Sequence, residues 1–391
     1  MTHLSPKHSK SPWKRFGATA AEWRDWRWQQ RHAVGPEDLA KHLSLSDEER
    51  AGLAAVPAGL PVGATPYYLS LADPLDPACP VRMQIVPRAA EALVCQGELA
   101  DPLGEDRAMP VPGLVHRYPD RALFLATDRC SVYCRHCTRR RRTGRGAPSI
   151  TQAAVERAAG YVRAHPEIRE VLVSGGDPLL LPTSRLAAVL RAFRDIRHVE
   201  VLRVGTRMPV ANPMRVDAAL AKALRRLAPL YVVTHFNHPK ELTRESRAAC
   251  ERLVDAGVPV ENQTVLLRRI NSSPRILGEL FRGLLAIRVR PYYLHQMDVA
   301  QGTEHLRTPL EEGVRILAAL RGRVSGLAIP HFAVDLPGGG GKVTLQPDYV
   351  LSADARQVRL KNWKGETYVY PQPAETDCSC PYEAKWFSQV R

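Results

Sequence analysis

The chain has 391 residues, of which 45% are hydrophobic and 24% charged, a globular composition that excludes a disordered or fibrous polypeptide. Lys and Arg outnumber Asp and Glu 55 to 40. The resulting excess of +15 suits nucleic acid, a membrane surface or an anionic small molecule and does not choose among them.

Residues 1–112 predict a helical N-terminal region. Trp13, Trp23, Trp26 and Trp28 lie among Arg, Lys and Gln. Such interleaving can bind nucleic acid, but it is more often the buried face of amphipathic helices. Ser44-Leu-Ser-Asp-Glu-Glu then opens an apolar-periodic run in the manner of a capping box, and Pro-rich extended connectors follow. The opening MTHLSPKHSKSPWKRF lacks the apolar core of a secretory signal, and no run in the chain approaches the ~18 apolar residues that span a bilayer. A soluble, cytoplasmic protein with no membrane partner is expected. Eight cysteines in such a chain argue for metal or redox chemistry and against a disulfide framework.

From residue 121 the pattern becomes regular. Short β-rich runs at 122–127, 170–174, 199–204, 230–234, 260–267 and 289–294 alternate with helical patterns near 151–164, 184–194, 216–226, 240–256, 274–286 and 309–320. Six consecutive strand–helix units within 113–325 predict an α/β fold on a parallel sheet or barrel. The segment 326–391 adds one more strand-like run, a Gly-rich stretch and a mixed tail.

Function in such folds collects on loops at the carboxyl ends of the strands. Cys130, Cys134 and Cys137 follow the first run, Gly175-Gly176-Asp177 the second, Gly205-Thr206-Arg207 the third and His235 the fourth. Gln263 lies in the fifth run, and Asp298 comes just after the sixth.

Cys130-x3-Cys134-x2-Cys137 is the sharpest signal. Three thiolates on one tight loop can hold three irons of a cubane [4Fe–4S] cluster and leave the fourth iron without a protein ligand. A structural zinc site wants a fourth nearby ligand, usually from a second Cys pair, and none lies close; His136 would crowd the loop. The spacing is that of the radical S-adenosylmethionine superfamily, in which the open iron chelates that cofactor. Gly175-Gly176-Asp177 resembles the superfamily's contact to its amino group.

The second signal is Asp335-Leu-Pro-Gly-Gly-Gly-Gly-Lys342. A nucleotide phosphate loop fails here, because Leu336 and Val343 stand where Gly and Ser or Thr are required. A lysine beyond four glycines is suited to Schiff-base attachment of pyridoxal phosphate, and a flexible solvated loop is the plain alternative.

Taken together, these residues resemble the lysine 2,3-aminomutase family. The matching segments include HRYPDR (116–121), SGGDPLL (174–180), THFNHP (234–239), RPYYLHQMD (290–298), EHLRTP (304–309) and DLPGGGGK (335–342). The resemblance implies a partial (β/α)6 barrel of the radical SAM type, with a helical N-terminal region and a short C-terminal extension. It implies three cofactors: a [4Fe–4S] cluster, S-adenosylmethionine and pyridoxal 5′-phosphate. The implied reaction moves the α-amino group of L-lysine to the β-carbon after a 5′-deoxyadenosyl radical removes a β-hydrogen.

Carried over residue by residue, the resemblance gives Cys130, Cys134 and Cys137 to the cluster. Lys342 would hold pyridoxal phosphate, with Arg117, Tyr118 and Arg121 facing it. Gly175, Gly176, Asp177, His235 and Gln263 would contact S-adenosylmethionine. Arg139 would take the substrate carboxylate, and Asp298 and Asp335 the distal ammonium. Read singly, the arginine run 139–142 also fits a solvated basic patch, and either acid a helix cap or loop hydrogen bond. A flavodoxin- or ferredoxin-type electron donor and a homo-oligomer are the implied partners; nucleic acid is not.

One departure stands out. The family carries a structural zinc on four cysteines; here Cys378 and Cys380 match two positions, while Ser273 and Glu383 occupy the others, so no tight zinc is expected. Cys79, Cys95 and Cys250 fit no site and are expected to be buried thiols. Rival readings are an aminomutase for arginine or glutamate, an enzyme acting on elongation factor P, and a radical enzyme acting on RNA. Two acids suit a cationic side chain and count against glutamate.

Overall fold

The computed structural model describes residues 11–55, 59–146 and 150–375, together with 378, 380, 382, 383 and 388. The chain divides into two compact units after Gln346. The first is built on nine strands that lie in the sheet in chain order: β1 (Leu114–Tyr118), β2 (Arg121–Leu125), β3 (Glu170–Ser174), β4 (Val201–Gly205), β5 (Leu230–Thr234), β6 (Val260–Leu266), β7 (Arg290–Gln296), β8 (His331–Leu336) and β9 (Gly341–Leu345). Strands β2 to β8 run parallel, and an antiparallel partner closes each side, β1 on β2 and β9 on β8. This is the nearly closed, barrel-like parallel sheet of a partial (β/α)6 barrel, with the six expected strands all present and a seventh, β8, extending the parallel run.

The connecting helices follow from simple patterning. Gln152–Ala164 starts where the Thr151 side chain accepts a hydrogen bond from the Ala154 N–H. It buries Val155, Ala158, Ala159 and Val162, spacings of three and four residues that make one apolar stripe. Strands β2, β3 and β4 alternate buried and half-buried positions, as expected for a sheet with a helical layer outside and a lined interior.

The N-terminal region is helical, in short pieces. The Ser46 and Glu49 pair forms a true capping box on Asp47–Ala54. Trp23 and Trp28 are buried in the main core, so the tryptophans are mainly packing residues. No described helix is long and apolar enough to cross a membrane.

Two segments differ from expectation. HRYPDR is a hairpin: β1 and β2 meet through Tyr118↔Arg121, with Pro119 and Asp120 turning the chain. The Gly-rich stretch is also a hairpin, and the β8–β9 register sets Lys342 directly opposite Asp335. Lys342 therefore sits on a paired strand and not on a floppy loop. The second unit contains a separate antiparallel sheet of β10 (Val350–Ala353), β11 (Gln357–Lys361) and β12 (Thr367–Pro371), with most of its residues exposed.

Candidate active site

The strand ends open onto a cavity of about 670 Å³, within the range that holds small ligands and cofactors. All fifteen candidate residues expected to serve the cluster, the two organic cofactors and the substrate line it. Cys378 and Cys380 do not; both are exposed in the second unit.

The cysteine loop leaves β2 and is held by its neighbours' backbone. Gly176 donates its N–H to Thr127 O at 2.6 Å, and Asp177 donates to Arg129 O at 2.7 Å. Gly175 has φ +125°, and a Cβ there would lie 2.3 Å from Thr127 O; one on Gly176 would lie 2.2 Å from Arg129 O. Only glycine permits this approach of the β3 turn to the chain entering Cys130. With those N–H groups committed, the turn offers a ligand its carbonyl oxygens, which suit an ammonium group.

The Asp177 side chain is occupied by the scaffold. It accepts from Thr206 Oγ1 at 2.7 Å, the Arg207 N–H at 2.7 Å and the Leu179 N–H at 3.0 Å. Burial pushes its carboxyl up to about 6, the hydrogen bonds pulling the other way. Burial also raises the Cys130 and Cys137 thiols, and charge on the neighbouring sulfurs adds to it. Two half-buried thiols that resist ionisation, with Cys134 on the same loop, are a donor set that bound iron would satisfy, since metal coordination removes the charge penalty. Among the described residues no three His, Cys, Asp or Glu side chains converge on a single metal ion. Thiolates that each serve a different iron of a cubane need not converge.

Polar atoms around the cavity await partners. Tyr118 Oη, His136 Nδ1, Arg207 Nε and Thr234 Oγ1 are buried without a hydrogen bond, and their residues all line it. Such groups are available to hydrogen-bond a polar ligand in the cavity. His136 is turned to His235, Nε2 to Nε2 at 3.0 Å, with Asn237 Nδ2 3.2 Å from both. Burial and the Arg207 charge hold both imidazoles well below the usual histidine range, so each is neutral at pH 7.

At the other end of the cavity, charged groups pair with one another. Lys342 Nζ contacts Asp335 Oδ2 and lies 3.2 Å from His295 Nδ1. Arg117 donates to Asp335 Oδ1 at 3.4 Å and to Leu103 O at 3.0 Å. The Arg121 guanidinium sits 3.9 Å from the Tyr118 ring centroid. Burial, then the Asp335 charge, pushes the Asp298 carboxyl up to about 6. Arg139 is held in a fork by Glu105, at 2.9 Å from Nε and 2.8 Å from Nη2. The next arginines serve the scaffold: Arg140 pairs with Glu91 at 2.8 Å, Arg141 with Asp101 at 2.8 Å, and Arg142 with Asp106.

His295 and Glu105 line the site without having been singled out from sequence. His295 lies inside a quoted segment, RPYYLHQMD, so its place in a strand ending at the cavity was the available signal. Glu105 lies in irregular Pro-rich chain and gives none.

Two family profiles and several characterised relatives match the chain. The family profile described as "Radical SAM superfamily" matches residues 124–277, and that described as "Lysine-2,3-aminomutase" matches 317–390. The chain is 47% identical to the L-lysine 2,3-aminomutase of Clostridium subterminale, over 92% of this chain and 87% of that one. It is 48% identical to the L-lysine 2,3-aminomutase of Bacillus subtilis, over 90% and 75% respectively. It is also 39% identical to the glutamate 2,3-aminomutase of Clostridioides difficile, over 90% and 83%. Radical SAM enzymes work with a [4Fe–4S] cluster and S-adenosylmethionine, and the lysine aminomutases add pyridoxal phosphate. With the cysteine loop, the Gly-Gly-Asp turn and Lys342 gathered on one cavity, the chain belongs to the lysine 2,3-aminomutase family of radical SAM isomerases.

Proposed function

We propose that the protein converts L-lysine to L-β-lysine, moving the α-amino group to the neighbouring carbon. One observation carries the choice of substrate: Asp298 and Asp335 line the same cavity as Lys342 and Arg139. A lysine side chain entering the cavity must take its ammonium out of water, which is costly without anionic partners. Two carboxylates supply them, while Arg139 suits the carboxylate at the other end. A glutamate side chain would instead bring a further carboxylate toward both acids.

The proposed roles follow the chemistry of each group. Cys130, Cys134 and Cys137 would hold the cluster; the carbonyls of the Gly175–Asp177 turn, with His235 and Gln263, would hold S-adenosylmethionine; Arg117 and Arg121 suit the phosphate of pyridoxal phosphate on Lys342. When bound, these groups supply an organic radical able to take hydrogen from carbon and a conjugated ring that spreads unpaired spin. The chain's own work is binding, orientation and proton handling. Lys342 Nζ must shed a proton before bonding to an aldehyde carbon, and Asp335 Oδ2 and His295 Nδ1 are the acceptors beside it. Arg139 then divides its donors between Glu105 and the substrate carboxylate.

The test is anaerobic reconstitution with iron, sulfide, S-adenosylmethionine and pyridoxal phosphate, followed by separate incubation with L-lysine, L-arginine and L-glutamate. Mass spectrometry of derivatised products should find β-lysine as the dominant β-amino acid. Product from glutamate and none from lysine would overturn the substrate assignment.

A further inference from the structure

Arg207 stands just beyond the end of β4, and neither the sequence reading nor the roles above give it a task. Its side chain is 7% exposed. The guanidinium donates from Nη1 to Cys134 Sγ at 2.7 Å. Its Nη2 donates to Tyr68 Oη and to Glu241 Oε1, both at 2.8 Å. Its own backbone N–H is the one that holds Asp177 Oδ2. One residue therefore ties the cysteine loop to the Gly-Gly-Asp turn, through side chain and main chain respectively.

The three sulfurs are not equivalent. Cys137 Sγ has the neutral Thr143 hydroxyl at 3.8 Å. The other charges bearing on Cys130 are acidic, from Asp177 and Asp128 as well as the neighbouring sulfurs. Cys134 alone among them touches a buried cation, and Glu241, fully buried, balances part of that charge from the far side. Hydrogen bonds to cluster sulfurs and net local charge are established levers on the reduction potential of iron–sulfur centres.

We propose that Arg207 is a positioning residue for the cluster, fixing the Cys134 sulfur and favouring the one-electron reduced state by donating a charged hydrogen bond to it. The step is the transfer of one electron from a low-potential donor to the oxidised cluster, with no bond made or broken in the chain. The added negative charge spreads onto the sulfurs, where the guanidinium stabilises it. Glu241 opposes this, so the pair sets the potential between two limits. The inference rests on the cluster assignment to Cys130, Cys134 and Cys137.

The experiment is a redox titration of the anaerobically reconstituted protein, followed by the electron paramagnetic resonance of the reduced cluster, with iron per chain measured first. In Arg207→Gln, poised at the wild-type midpoint, the reduced-to-oxidised ratio should fall about tenfold, a shift of about 59 mV to more negative potential for one electron. Arg207→Lys keeps the charge but not the two-pronged reach, and should move the same way by less. Glu241→Gln should move the midpoint in the opposite direction. A purely structural role would loosen the cluster in all three without reversing sign. Wild-type midpoints in loaded Arg207→Gln and Arg207→Lys would overturn the proposal. If neither loads, an unchanged or more negative midpoint in Glu241→Gln does so. Failure of the underlying assignment looks different: iron would then stay bound after Cys130→Ala, whatever the potentials.

Discussion

The two ends of the cavity are built on opposite electrostatic plans. Around the cysteines the polar groups are held by the scaffold: Asp177 by three donors, Arg207 by Tyr68 and Glu241, and a neutral His136–His235 pair by Asn237. Around Lys342 the charged groups hold each other, Asp335 between Lys342 and Arg117, and Arg139 against Glu105. The first arrangement is preorganised, its orientations set before any ligand arrives. The second must exchange partners, because the same atoms that pair now are those a phosphate, a carboxylate or an ammonium would need. Preorganisation favours tight, fixed binding, and exchange favours turnover of a substrate.

The sharpest way to break this comparison is to disable each end alone. Cys130→Ala, Cys134→Ala and Cys137→Ala should each abolish cluster loading, about four irons per chain in the parent, and with it reductive cleavage of S-adenosylmethionine. Borohydride should still trap pyridoxal phosphate on Lys342 in these variants. Lys342→Ala should lose that trapping and nearly all turnover while keeping its iron. If the cysteine variants also lost trapping, the two ends would be one cooperative unit and the contrast drawn above would be wrong.

A smaller effect tests the exchanging end itself. Asp298→Ala and Asp335→Ala leave a substrate ammonium half compensated, a loss of ~2–4 kcal/mol in transition-state binding. Each should lower kcat/KM for L-lysine by at least ~30-fold, with iron per chain unchanged. Asp335→Ala should in addition alter the pH dependence of trapping on Lys342, since it removes that amine's closest anion. Normal lysine turnover in both variants would remove the basis for the lysine assignment.

The smallest effect concerns pH. The carboxyls of Asp177 and Asp298 are both pushed up to about 6 by burial. An unfolded chain titrates these groups near 4, so the fold binds extra protons between the two values. Their contribution to stability is therefore full below about pH 4 and is lost as pH rises through about 6. The binding role proposed for Asp298 would run the other way, because pairing with an ammonium needs the carboxylate ionised. The value of kcat/KM for L-lysine should fall as pH drops below about 6, and Asp298→Asn should flatten that limb. Thermal melts of Asp298→Asn across pH 4–7 should show a weaker pH dependence than the parent.

What could be read in the sequence follows from how local the cause is. Runs such as EVLVS and LYVVT announce strands because β-branched residues crowd a short window, and their order alone yields the parallel sheet. LVHRY and GKVTL gave no such signal. The first carries two basic residues, and the second begins on the last of four glycines whose local preference is for a loop, so tertiary pairing had to override composition. The cysteine spacing is legible because three thiols share one short loop. Glu105 and His295 act through partners 34 and 47 positions away, Arg139 and Lys342, and nothing in a short window marks such a pair.

The hairpin that carries Lys342 has a further consequence for how this chain can vary. Side chains on a strand point alternately to either face, so moving β9 by one residue against β8 would send Lys342 away from Asp335 and out of the cavity. The turn Pro337–Gly340 can therefore change composition more freely than length. Its length obeys a parity rule: adding or removing a single residue there would turn the Lys342 amine out of the cavity while leaving every residue of the motif in the gene.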